Sequence, residues 1–402
     1  MGKYTAVKVK ANQYIIYGIF ALIIAFIAYY IIVYKSPKPF EKGKTIRWVV
    51  TGDDISPSDK RKTVQYSYNG VDYIPGEDDS LFLANGVGYG RSYDNENFFW
   101  IAGGMINPGE SDPDTKSSMV NSYNGYTWIK NNNPLIETQG VEFVADENGD
   151  PLWLATGSTK EDGKNNIIFS RDGICWSHST GLCFFSGNTI AYGNSFYVAG
   201  GIGIDPEKGN YNILYSNSSL SWRLSKGASF SGSIFSYCAG LDYGLSSDKI
   251  TSLWVAVGYA EDSTDNTNIL YSLDGITWDF STGMSFYGGG QDVAFGLDDA
   301  DNPIWVAIGE GESSILYSDD GKNWVKATGI SFSAGNGVAY GKDSNEDSFW
   351  VATGNDINGG KDEILYSYNG KHWVSTEDPA FGLSIGRGVA SNILKYGVKP
   401  YI

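Results

Sequence analysis

Short apolar runs alternate with polar turns along the chain, and the alternation itself recurs at long range. Seven times between Trp48 and Trp373 an apolar run ends in Gly, a polar loop follows, and a second run of the Tyr-Ser-x-Asp/Asn-Gly kind leads to Trp or Tyr. Runs this short, bounded by Gly and polar clusters and rich in Val, Ile, Tyr and Trp, predict strands rather than helices. Each unit predicts four of them. The first reads like Gly-Val-Ala-Tyr-Gly, at 86–90, 189–193, 292–296 and 337–341. The second reads Trp-Val-Ala-x-Gly, at 48–52, 100–104, 153–157, 197–201, 254–258, 305–309 and 350–354. The third and fourth flank Asn69-Gly70, Asn124-Gly125, Asp172-Gly173, Asp274-Gly275, Asp320-Gly321 and Asn369-Gly370. Such pairs predict type I′ hairpin turns, which need positive φ at both central residues. In the fourth unit Ser218-Ser219 stands in their place, and a looser hairpin is expected there.

Four short strands at a period of roughly 50 residues are the signature of a β-propeller blade. The first unit lacks a first strand before Trp48, whereas the chain has a surplus Gly388-Val389-Ala390-Ser391 near its end. A C-terminal strand completing the N-terminal unit would close the ring and remove both sheet edges. The expected fold is therefore all-β, a seven-bladed β-propeller over 45–402 closed by a C-terminal strand. One N-terminal transmembrane helix is expected to precede it. Residues 14–34 are 21 consecutive uncharged, largely apolar residues, enough for a helix of about 30 Å. Tyrosines cluster toward both ends of that run, as interfacial aromatics do. A cleaved signal peptide fits less well, because Ile-Ile-Val-Tyr-Lys-Ser-Pro offers no small-x-small site. Residues 1–13 form a short basic tail and 35–44 a Pro/Lys linker. Lysines lie on both sides of the apolar run, so charge does not set its orientation.

Tyr271 to Trp278, Tyr-Ser-Leu-Asp-Gly-Ile-Thr-Trp, resembles the Asp-box of BNR-type propellers, with one residue fewer between Asp and Gly. The tandem array is also similar to uncharacterised propeller proteins of large DNA viruses and some bacteria. The resemblance implies fold; for function it implies little, because Asp-boxes occur in enzymes and non-enzymes alike. Its sharpest functional implication is a sialidase-like glycosidase. That chemistry uses an arginine cluster and a tyrosine nucleophile, and the chain has six arginines, with no Phe/Tyr-Arg-Ile-Pro segment.

Charge narrows the partners. Residues 1–44 contribute +6 to a net charge of −17, so the remainder carries −23, which disfavours a nucleic-acid partner. Cys175, Cys183 and Cys238 sit at unrelated repeat positions and read as small buried thiols in a reducing compartment, with a Cys175–Cys183 bridge as the alternative. Asn217-Ser218-Ser219 is the one N-glycosylation sequon. His178 and His372 are isolated, which argues against a triad or a zinc site. No cofactor or metal is expected; the acidic loop with Asp146, Asn148 and Asp150 is the one place where oxygen ligands for calcium come close together.

One repeat position carries polar side chains without an obvious role in a blade. Just before the first strands stand Asn85, Gln139, Asn188, Ala239, Gln291, Asn336 and Arg387. With the first strand innermost, these residues would ring the mouth of a central channel and could bind a polar ligand or peptide. Alternatively, each amide bonds a neighbouring blade. No catalytic residue is evident. These features predict a membrane-anchored, non-enzymatic interaction or structural module, a single-pass membrane protein on a virion or an internal viral membrane, with a capsid or membrane protein as partner. The alternative is a glycan-binding or glycan-processing surface protein.

Overall fold

The computed structural model describes residues 44–394, except 55–61, 78–80, 94–96, 107–116, 147, 160–165, 206–208, 219–220, 228–234, 261–267, 356–362 and 377–382. The expected tail and transmembrane helix, and nearly all of the linker, lie outside the described residues. Among the described residues no helix is long and apolar enough to cross a membrane.

The described strands form seven antiparallel four-stranded units, numbered here in the order of their second strands. Unit 6 is representative, with strands Gly289–Leu297, Pro303–Glu310, Ile315–Ser318 and Asn323–Lys326 paired in sequence order. Unit 1 is assembled from both ends of the domain. Trp48–Asp54 pairs antiparallel with Leu383–Ser391, matching Trp48 to Ser391 and Val50 to Val389. The first strands touch in cyclic order, and the C-terminal strand meets both Ala334–Lys342 of unit 7 and Leu81–Arg91 of unit 2. The fold is propeller-like.

Hydrophobic patterning explains this stacking. A sheet with one wet face alternates apolar and polar residues, but Ile304, Trp305, Val306, Ala307 and Ile308 are all fully buried. Both faces of the unit must therefore be covered, and neighbouring units cover them. Leu253, Val255 and Val257 of unit 5 share one apolar cluster with Val293, Trp305 and Leu316 of unit 6. The indoles also tie units together: Trp305 Nε1 donates to Leu245 O at 2.9 Å and Trp350 Nε1 to Leu297 O at 3.0 Å. At the outer edge, Thr282-Gly283 pairs in parallel with Asn323-Trp324 of the next unit. Gly283 has φ of 86°, and a Cβ there would lie 2.4 Å from Trp324 O, so only glycine makes this approach.

The Asp/Asn-Gly corners differ from the expected type I′ turns. Only the glycines take positive φ, for example 71° at Gly275, while the preceding Asp and Asn do not. The side chain closes the corner instead. Asp274 Oδ1 accepts from the amides of Ile276 and Thr277 at 2.8 and 2.7 Å, and Ser272 Oγ accepts from Gly275 N at 2.9 Å. This Asx turn leaves Asp274 in ordinary backbone geometry. Both central residues have positive φ in a hairpin that the motif search passed over, Asn194-Ser195 between Gly193 and Phe196, at 46° and 63°.

Candidate functional site

The polar positions singled out by repeat spacing do not precede the inner strands; they lie within them, at β-bulges. Register slips between Thr138 and Gly140, Gly187 and Thr189, Cys238 and Gly240, Gly290 and Asp292, and Gly335 and Gly337. The skipped residues are Gln139, Asn188, Ala239, Gln291 and Asn336. In unit 2 the slip spans Ala84 to Val87 around Asn85, and in unit 1 the residues unmatched between Gly386 and Val389 include Arg387. A bulge leaves one residue outside the ladder and re-aims its side chain. Seven bulges at one level of seven strands turn these side chains toward a common space.

That space is a cavity of about 250 Å³ lined by all seven positions. Backbone contacts hold its wall together. A Cβ on Gly86 would lie 2.3 Å from Gln139 O, one on Gly140 2.6 Å from Asn188 O, one on Gly337 2.2 Å from Arg387 O, and one on Gly388 2.3 Å from Asn85 O. Glycine beside the bulge therefore lets the inner strands of units 1, 2, 3, 5 and 7 press on the next, whereas Thr189 and Asp292 stand at that place in units 4 and 6. Thr51 Oγ1 donates to Asn85 O at 2.8 Å and accepts from Gly388 N at 2.9 Å, and Thr353 Oγ1 donates to Arg387 O at 2.9 Å.

The amides are locked as well as gathered. Asn85 Nδ2 donates to Thr138 O at 3.2 Å, Asn188 Nδ2 to Cys238 O at 2.9 Å, and Asn336 Nδ2 to Gly386 O at 2.8 Å. Each bond reaches the next unit's inner strand, so these amides bridge units while lining the cavity. Gln139 Nε2 donates to Glu137 Oε1 at 2.7 Å. Gln291 Nε2 lies 3.4 Å from Glu310 Oε1. Arg387 is clamped by Asp53, Nε to Oδ1 at 2.6 Å and Nη2 to Oδ2 at 3.0 Å, a bidentate pair across the seam of unit 1.

Four further residues escaped the sequence reading. Glu142, Asp292 and Tyr237 line the same cavity, and Glu137 bonds its rim. Asp292 Oδ1 accepts from Val293 N and Oδ2 from Val338 N, both at 2.9 Å. Glu142 and Asp292 lie three and one residues past the bulges of their strands, offsets that the repeat alignment alone could have flagged.

The other candidates do not converge on this site. Asp146 Oδ1 accepts from the amides of Asn148 and Asp150, and Arg171 donates to its Oδ2 at 2.8 Å. Burial opposes its charge, yet Arg171 and the two amides hold the carboxyl below its usual range. The acidic loop thus spends its first carboxylate on its own turn and on an arginine. Among the described residues no group of three or more His, Cys, Asp and Glu side chains could hold a metal ion. His178 and His372 are exposed on separate units, the latter 3.1 Å from Thr328 Oγ1. Cys175, Cys183 and Cys238 form no disulfide, and of the three expected buried thiols only Cys238 is buried; Cys183 is half-buried and Cys175, on its hairpin corner, is exposed.

No family model matches the chain, and no curated protein matches it. Solved structures to which it is similar include a GH74 xyloglucanase from Xanthomonas campestris, at 11% identity and TM-score 0.42, over 82% of this chain and 43% of that one. Another is an α-L-arabinofuranosidase from Fusarium graminearum, at 11% and 0.44, over 78% and 94%. A third is a putative 6-phosphogluconolactonase from Bacteroides fragilis, at 9% and 0.45, over 88% and 99%. The chain spans less than half the length of the xyloglucanase. At such identities the likeness is one of fold.

The expectation of a chain without enzymatic activity is corrected by these neighbours, which are two glycoside hydrolases and a putative lactonase. It rested on absences: few arginines, isolated histidines and no nucleophile motif. Hydrolysis by a pair of carboxylates needs none of those groups. The expected viral or structural role and the Asp-box kinship find no support among these neighbours.

Proposed function

We propose that the domain is a seven-bladed propeller that binds a glycan at the mouth of its central channel and hydrolyses it. The observation that carries this reading is the convergence of Asn85, Gln139, Asn188, Gln291, Asn336 and Arg387, each from a different strand, on one cavity whose wall also holds Glu142 and Asp292. Carboxamides both donate and accept, which suits them to sugar hydroxyls. Seven units whose inner strands meet in cyclic order support the blade count.

Glycoside hydrolysis asks for one carboxyl that gives a proton and one that stays charged. Asp292, with an amide donor on each oxygen, suits the charged role. Glu142 takes the acid role. Its proton passes to the leaving oxygen as the glycosidic C–O bond breaks; water adds to the anomeric carbon and yields a proton to the carboxylate side. The uncharged run 14–34 supports a membrane tether for the propeller.

The test is a glycan array followed by hydrolysis assays with the full-length chain. Glu142→Gln should lower hydrolysis by about 100-fold or more while binding persists. Arg387→Ala combined with Asn336→Ala should weaken binding. If no glycan is bound or cleaved, the reading falls.

A further inference from the structure

The ring of polar side chains is broken in one unit, and that break has its own chemistry. At the bulge of unit 5 stands Ala239, and two residues before it Tyr237 lines the same cavity. The corresponding residues in the other units are Leu83, Glu137, Ser186, Gly289, Ala334 and Ile385, so unit 5 alone brings an aromatic ring to this level. The methyl of Ala239 leaves room where other units place an amide or a guanidinium. On either side of the gap stand Asn188, whose Nδ2 is pinned to Cys238 O at 2.9 Å, and Gln291, whose Nε2 lies 3.4 Å from Glu310 Oε1.

We infer that this gap is a subsite for an uncharged pyranose, its apolar ring face laid on Tyr237 and its hydroxyls met by Asn188 and Gln291. The inference deepens the glycan reading and rests on it. An aromatic ring offers a large apolar face beside polar partners, and the C–H face of a pyranose matches it. Burial, with Cys238 beside it, pushes the Tyr237 phenol up to about 12, so at neutral pH it stays an uncharged donor. The choice of an uncharged sugar follows from the charges around the mouth. Arg387 is the ring's one cation, and Asp53 already holds it with two bonds. Glu137 and Glu310 add negative charge at the rim, on a chain whose net charge is −17. A sugar carboxylate would meet repulsion there.

The experiment measures binding of the full-length chain to neutral oligosaccharides and to their sialylated counterparts, with thermal melting of every variant. Neutral glycans should bind more tightly than sialylated ones. Tyr237→Ala should weaken neutral binding about tenfold, the size of one lost aromatic contact, and Tyr237→Phe should stay within about twofold. Ala239→Gln, which fills the gap, should also weaken it. Should Tyr237→Ala fail to fold, the neutral-to-sialylated ratio and the Ala239→Gln variant decide. Unchanged binding in folded Tyr237→Ala, or a preference for sialylated glycans, overturns the subsite and leaves the glycan reading standing. Binding to no glycan of either kind overturns both.

Discussion

Replacing Gly388 by Ala probes the seam at which the two ends of the domain meet. No positive φ is involved, so the backbone itself accepts alanine; the obstacle is space. The added Cβ would lie 2.3 Å from Asn85 O, 2.7 Å from Thr51 Oγ1 and 3.1 Å from Gly86 Cα. Two of those atoms are main chain in the inner strand of the next unit, so relief requires parting the strands by about 1 Å. Overpacking of this kind costs about 1–3 kcal/mol. The Thr51 hydroxyl, which bridges Asn85 O and Gly388 N, would be displaced as well, adding about 1 kcal/mol. A total of about 2–4 kcal/mol corresponds to a fall in Tm of roughly 3–5 °C for a domain of this size. The assay is thermal unfolding by circular dichroism, with Gly86→Ala, whose Cβ would lie 2.3 Å from Gln139 O, as the matched substitution at the junction of units 2 and 3. Gly149→Ala is the control: nothing lies within 4 Å of its Cβ, and its φ of 82° should cost only about 1 kcal/mol. If Gly388→Ala melts within about 1 °C of the parent while Gly86→Ala is severe, the seam is not packed as described, and the closed ring is refuted.

Two further outcomes test the corners and the thiols. At Asp274, partial burial works against the charge, but the amides of Thr277 and Ile276 and the Ser272 hydroxyl outweigh it and hold the carboxyl below its usual range. Its stabilising contribution is therefore complete above the ordinary carboxylate pKa and is lost as pH falls below about 4. Asp274→Asn, which matches the natural Asn369 corner, should keep the neutral-pH Tm and flatten the acid limb of a Tm-against-pH curve; an unchanged acid limb would count against the Asx-turn account. Cys175 is exposed, with its thiol pushed up chiefly by the neighbouring Asp172 carboxylate, and it should react with a thiol reagent in the native protein, faster as pH rises. Cys238 is fully buried, with its thiol pushed well up by desolvation, and should react only on unfolding; peptide mass spectrometry showing equal labelling of the two would contradict that burial.

The blades were legible because their determinants are local or periodic. Trp-Val-Ala-x-Gly runs mark strands buried on both faces, and Ser-x-Asp/Asn-Gly corners mark hairpins whichever turn they adopt. The turn type was misread for a physical reason: Asp-Gly and Asn-Gly serve a type I′ turn and an Asx turn equally well. The side chain's choice to accept two amides, as Asp274 does, depends on the strand spacing that follows. The seven cavity positions were likewise found from their repeat spacing. Their placement at bulges was not, since a bulge exists only relative to the partner strand's register. Glu137 and Tyr237 stand two residues before the bulge, Asp292 one and Glu142 three after it, at positions whose residue type changes from unit to unit, so recurrence does not mark them.

By itself, then, the sequence determined the strand content, the repeat, the surplus terminal strand and the ring of candidate positions, all of which follow from backbone preference and hydrophobic period. Tertiary structure decided what those positions do. It joined Arg387 to Asp53, 334 residues earlier in the chain, and so removed the one cation that an acidic ligand would need. It gave the amides of Asn85, Asn188 and Asn336 to neighbouring strands, and it set Tyr237 in the single gap of the ring. Such pairings depend on strands from different units meeting around a common cavity, and no local pattern in the chain encodes that meeting.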